Sequence, residues 1–173
     1  MKILAISGSL RAESTNTALL RAAALVAPGD IEVTLYEGLG DLPMFNPDIE
    51  ATEPPAVMRL WTQISDSDAV MIASPEYAHG ITGVLKNALD WMVGCGAFVD
   101  KPVALLNASP RASHAQAALK ESLLMIMARP IEKASVEIDL IGLAPDASGL
   151  AADPAIATLL ETALAELVLQ VRP

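Results

Sequence analysis

Lys2-Ile3-Leu4-Ala5-Ile6-Ser7-Gly8-Ser9-Leu10-Arg11-Ala12-Glu13-Ser14-Thr15-Asn16 is the stretch on which the reading of this chain turns. Its first six residues are rich in Ile, Leu and Ala and alternate little, the pattern of a strand covered on both faces, as parallel strands are. Gly8 follows at once, and small hydroxyl and amide side chains lead into a segment of helical period over 17–27. A doubly buried strand that opens into a helix through a short polar loop is the first unit of a strand–helix alternation.

Working outward, similar short apolar runs occupy 31–36, 69–73 and 103–107, with a weaker fifth near 134–140. Helical period predicts helices over 55–64, 81–93, 115–128 and 154–171. The last is the clearest. Ile156, Leu159, Leu160, Ala163, Leu164, Leu167 and Val168 recur at three- and four-residue steps behind Asp153-Pro154, with Asp153 as N-cap and Pro154 in the first turn. Ile81, Val84, Leu85, Ala88 and Met92 form another apolar stripe, and Leu119, Leu123, Ile126 and Met127 a third that stops at Arg129-Pro130. Five such pairs imply one α/β domain over 1–173, a parallel sheet between helices. The irregular, proline-bearing stretch 37–54 is long enough to expect a functional or flexible loop.

The chain has 173 residues, 53% of them hydrophobic and 18% charged, which excludes an intrinsically disordered polypeptide. Its net charge of −10 argues against general attraction to nucleic acid or anionic lipid. No apolar run reaches the length expected of a membrane span, and the start is too short for a secretory signal, so β1 of a mature fold is expected there. The single cysteine, Cys95, excludes an internal disulfide, and two distant histidines offer no metal-ligand spacing. These features fit a reducing cytoplasm.

In a parallel α/β sheet, ligands bind beyond the carboxyl ends of the strands. The loop after strand one suits a phosphate: backbone N–H groups and the positive helix end point at an anion, the hydroxyls and Asn16 donate, and Arg11 pairs with oxygens. The same residues also suit an ordinary N-terminus capped by Ser14 with a solvated Arg11. Rival phosphate sites fail on spacing. There is no GxxxxGK[ST], Gly8 lacks the further glycines of a dinucleotide fingerprint, the loop holds no phosphatase cysteine, and Ser7-Gly8 stand where a response regulator needs acids.

Three motifs in order then resemble the NAD(P)H-dependent FMN reductase family. They are Gly-Ser-Leu-Arg-x-x-Ser-x-Asn from Gly8, Leu42-Pro43-Met44-Phe45-Asn46-Pro47-Asp48, and Pro75-Glu76-Tyr77 followed by Gly83-Val84-Leu85-Lys86-Asn87-Ala88-Leu89-Asp90-Trp91. The resemblance implies a flavodoxin-like three-layer sandwich with five parallel strands in the order 2-1-3-4-5. It also implies FMN as cofactor, with NADPH or NADH as transient electron donor. Ser9, Arg11, Ser14 and Asn16, assisted by the Leu10 amide, fall where the family grips the FMN phosphate. Pro75, Glu76 and Tyr77 fall beside the isoalloxazine ring, with Ala78 and His79 adjoining. A third, normally glycine-rich loop reads Asn107-Ala108-Ser109-Pro110-Arg111-Ala112-Ser113-His114, without glycine, and brings Ser109 to the ring.

Few aromatic residues stand in these loops, so one ring face is expected to be open, serving nicotinamide and then an oxidant in a ping-pong exchange. The acceptor classes implied are quinones, free flavin, azo compounds and chromate. No side chain is assigned a catalytic role and no metal is expected. His79 and His114 read as surface residues, Cys95 as packing, Trp91 and Phe98 as core or dimer contacts. A homodimer or tetramer is expected through 81–93 and 42–48, on the apolar character of Leu85, Leu89, Trp91, Met92 and Pro43-Met44-Phe45. A non-enzymatic electron carrier of flavodoxin type, and a flavin-free interaction module, are the alternatives.

Overall fold

A computed structural model describes residues 1–143 and 146–171. In chain order its elements are β1 (Lys2–Ser7), α1 (Thr15–Val26), β2 (Glu32–Tyr36), the one-turn α2 (Pro47–Glu50), α3 (Pro55–Asp66), β3 (Ala69–Ala73), β4 (Glu76–Tyr77), β5 (Gly80–Ile81), α4 (Gly83–Met92), β6 (Pro102–Asn107), α5 (Ser113–Met125), β7 (Arg129–Pro130), β8 (Val136–Glu137), α6 (Ala147–Ala152) and α7 (Pro154–Val171).

β1 lies inside the sheet, away from either edge, because it is apolar on both faces. It pairs in parallel with β2 on one side, Ile3 opposite Val33, and with β3 on the other, Ile3 opposite Ala69. β6 follows β3, and the sheet runs β2-β1-β3-β6-β7, all parallel, the expected order. The fifth position is split. β7 and β8 both pair with β6, separated by a turn of 3-10 helix at Glu132–Ala134, so the strand expected near 134–140 is only the second half of this edge. Ser135 bridges the gap, its hydroxyl accepting from the Leu105 N–H at 3.0 Å.

Each face of the sheet closes its own core. Leu4, Ile6, Val70, Ile72, Val103 and Leu105 meet α3, α4 and α5, while Ile3, Ala5, Met71, Ala104 and Leu106 meet α1 and α7. Full burial of one Leu or Ile side chain contributes about 1.5–3 kcal/mol, so the dozen large side chains buried here carry the fold. α7 corrects one expectation: it is long and apolar enough to cross a membrane. Leu160, Ala163, Leu164 and Leu167 are fully buried against the sheet, a single stripe that docks the helix while Leu159 and Leu169 stay exposed. Asp153 caps it as expected, accepting from the Ala155 and Ile156 N–H groups at 2.9 and 3.1 Å. The short α6 and the β4–β5 hairpin carry too few residues to show a period in sequence.

The loop 37–54 is ordered by α4. Asn87 Nδ2 and Trp91 Nε1 both donate to the Pro43 carbonyl, at 3.0 and 2.8 Å, and the Phe45 N–H donates to Asn87 Oδ1 at 2.7 Å. Phe45 stands edge-on to Trp91 with centroids 5.1 Å apart. This arrangement overturns the argument from α4 for a dimer surface. Leu85, Leu89, Trp91 and Met92 are all buried within the single chain, because loop and helix cover one another, and Phe98 joins the same core. Of the residues cited for pairing, Met44 alone is strongly exposed.

Candidate functional site

The carboxyl ends of β1, β3 and β6 carry the three loops singled out in the sequence. Gly8 begins the first, and its N–H donates to the Ala73 carbonyl at 2.8 Å. A Cβ at this position would stand 2.3 Å from Ser74 Oγ, so only glycine lets the first loop lie against the base of the second. Thr82 locks the pair, its hydroxyl donating to the Gly8 carbonyl at 2.7 Å while capping α4 through the Leu85 N–H. Ser7 and Ser9 hydroxyls then accept from the Ser9 and Arg11 N–H groups, both at 3.3 Å, and Ser14 Oγ caps α1 through the Thr17 N–H. The N–H groups of Leu10, Ala12, Glu13, Ser14, Thr15 and Asn16 make no hydrogen bond among the described residues. Six free donors at the positive end of a twelve-residue helix are an anion site in waiting.

A cleft of about 380 Å³ starts at Thr15 and Asn16, crosses Ser74, Pro75 and Glu76, and ends on Asn107–Ala112 and Leu140–Leu143. Its size falls within the ~300–1,000 Å³ of ordinary cofactor sites. Asn16 Oδ1 is buried beside it without a partner among the described residues. The third loop holds its shape without glycine because Asn107 organises it: Oδ1 accepts from the Ser109 N–H at 3.1 Å and Nδ2 donates to Glu137 Oε2 at 2.9 Å. Ser109 Oγ in turn accepts from the Arg111 N–H.

The structure thus brings Asn16, Pro75, Glu76 and Ser109 into one cleft. It places the others elsewhere. Ser9, Leu10, Arg11 and Tyr77 line a second, mainly apolar cleft of about 640 Å³ with Leu39, Leu42, Met44 and Val84, where Leu10 rests over Gly40. The Ser14 side chain is buried and serves as N-cap. Sequence reasoning missed Thr15, Arg111 and the 140–143 wall. Arg111 was visible as a cation two residues beyond Ser109, whereas the wall follows the split edge strand and has no local signature. Cys95 packs against the α4 side of the core as expected, and burial pushes its thiol up from the ordinary range. The histidines are exposed, yet their rings meet edge-on at 4.5 Å.

The fold and its cleft define an α/β sandwich of flavodoxin-like class. Residues 1–139 match the family NADPH-dependent FMN reductase, and the chain belongs to that family. It is 37% identical to an NAD(P)H-dependent FMN reductase of Pseudomonas aeruginosa over 99% of this chain and 96% of that one. It is 40% identical to a quinone reductase of Pseudomonas putida over 64% of this chain, a match spanning 61% of that protein's length. Among solved structures it resembles a flavoenzyme NAD(P)H:(acceptor) oxidoreductase of Paracoccus denitrificans, with a TM-score of 0.74, 28% identity and 98% of each chain covered. The protein is therefore an oxidoreductase of the FMN- and NAD(P)H-dependent kind.

Proposed function

We propose that the polar cleft binds FMN and that the enzyme passes reducing equivalents from NADPH or NADH to a quinone-class acceptor. The observation that carries this reading is the continuity of one cleft from the free N–H groups of α1 to the second and third loops. One end suits a dianionic phosphate and the other a flat, partly polar ring. The residues present fit FMN: Asn16 lines the cleft and can turn its amide Nδ2 to donate to the phosphate, and Gly8 keeps the two loops in contact. In this reading Asn16 holds the phosphate with the Leu10 amide, Ser9 and the exposed Arg11 turn to it from the second cleft, and Ser14 keeps the α1 N-terminus in place. Pro75, Glu76 and Ser109 flank the ring, and Tyr77 stands on the ridge between the two clefts.

FMN, when bound, would supply the redox chemistry, hydride transfer between a nicotinamide and an acceptor. The chain's part is to hold and orient. Tyr77 is the single aromatic in the second loop and is half exposed, so the protein leaves room for one planar substrate at a time. NAD(P)H and acceptor then use that room in turn. Free flavin, azo compounds and chromate are further acceptors in this reading, and the cytoplasm is its compartment. Two copies pair over the apolar cleft, where Leu10 and Met44 remain exposed.

Purified protein should carry, or take up, one FMN with the absorbance of an oxidised flavin. With NADH or NADPH and a quinone, double-reciprocal plots at several fixed quinone concentrations should be parallel, and intersecting lines would require both substrates to bind together. Light scattering at micromolar concentration should give twice the chain mass, and a mass near 18.1 kDa would rule out the pair.

A further inference from the structure

The helix α5 begins without a cap of its own. Ala112 precedes it and offers no side-chain acceptor, so its first N–H groups need a partner from elsewhere. That partner is Glu76, on the β4–β5 hairpin 39 residues earlier: its Oε2 accepts from the Ala115 N–H at 2.9 Å. The second carboxylate oxygen, Oε1, lies 3.4 Å from His79 Nδ1 at the hairpin turn. His79 meets His114, in the first turn of α5, edge-on at 4.5 Å. The turn itself is held with Ala78 and His79 at φ +51° and +58°, a conformation that non-glycine residues adopt at a cost and keep only when their surroundings impose it. Hairpin and helix are thus tied at two points, and the hairpin leads from the second loop while the helix leads from the third.

We infer that Glu76 is a positioning residue, a helix cap supplied by a distant segment of the chain that sets the separation of the second and third loops, the two walls of the polar cleft. It acts through α5: a carboxylate at a helix N-terminus satisfies a free N–H and opposes the helix dipole together. Without it, the first turn of α5 frays and Ser109, Arg111 and Ala112 lose a fixed place across from Pro75. The third loop has no glycine to let it settle into another shape. The inference deepens the FMN reading and, for its effect on binding, rests on it.

Hydrogen exchange on the flavin-free protein tests the cap without any ligand. Glu76→Ala should lower protection at Ala115 and across 107–114 while leaving α1 and α7 unchanged. FMN affinity, followed by quenching of flavin fluorescence, should fall roughly five- to tenfold, the loss expected when a cap of about 1 kcal/mol no longer keeps the binding arrangement populated. Glu76→Gln keeps an acceptor oxygen and should recover most of both. Unchanged exchange at Ala115 and 107–114 in Glu76→Ala would overturn the inference, as would a glutamine variant no better than the alanine one, which would make Glu76 a charged ligand contact. Faster exchange with unchanged FMN affinity would overturn the positioning role and leave Glu76 a cap alone, whereas failure of the unaltered protein to bind FMN would overturn the FMN reading and leave the exchange result standing.

Discussion

The first and third loops do the same job by different means. Each leads from the carboxyl end of a central strand into the N-terminus of a helix, and each borders the polar cleft. Past Gly8, which leans on Ser74 and Thr82, the first supplies its own contacts: Ser14 caps α1 three residues before the N–H it serves, and Ser7 and Ser9 satisfy the intervening backbone. The third has neither glycine nor cap, and borrows Glu137 to hold Asn107 and Glu76 to hold α5. Local completeness leaves the first loop rigid with six N–H groups unspent, a condition for binding an anion. The third loop spends its polar groups on its own shape.

The largest test of that contrast is made with the two arginines. Arg11→Ala should weaken FMN by about 1.5–3 kcal/mol, the range for hydrogen bonds to charged groups, or roughly ten- to 150-fold. Riboflavin, which lacks the phosphate, should bind as before. Arg111→Ala, a change in the third loop, should affect the two ligands alike. Isothermal titration with both flavins decides it, and a selective FMN loss on the Arg111 variant would move the phosphate to the third loop and reverse the comparison.

Gly8→Ala probes the close approach. The added methyl meets Ser74 and, at 3.2 Å, Leu85 Cδ2, both packed side chains. Overpacking of this kind costs about 1–3 kcal/mol, read as a lower urea midpoint at an unchanged slope. A variant of unaltered midpoint would show the loop to be looser than its hydrogen bonds indicate. The smallest effect is expected at Ser14→Ala, about 1 kcal/mol for the loss of an N-cap. That loss should be separable from Glu76→Ala in the double variant, because the two caps serve different helices and share no partner. Strong coupling between them would mean that the two loops are one cooperative unit.

Much of this was legible in the chain. β1 and β3 were read to the residue because apolar runs buried on both faces have no polar interruption to blur their ends, and α7 was read because Asp153 caps it locally. The first and second loops were found as candidate segments, and the family match agrees with the motifs that marked them. The division of the candidates between two clefts was not legible, since Arg11 and Asn16 are five residues apart in one loop and line different clefts only because the chain turns into α1 between them. Nor was the burial of Leu89 and Trp91. Their period marked α4 as apolar on more than one face, and the side that seemed to await a second copy is covered by this chain's own Pro43 and Phe45.

By itself the sequence determined whatever neighbours in the chain can settle. A strand's apolar run, the helical period and the caps at Ser14 and Asp153 all act over a few residues, within reach of a single side chain. Only the tertiary structure decided the links from Thr82 to Gly8, from Asn87 and Trp91 to Pro43, and from Glu76 to Ala115, which join positions 39 to 74 residues apart. Each matches one polar side chain with one backbone group left over by an element elsewhere. Which group is left over depends on how the sheet and helices have already packed, and no local pattern records it.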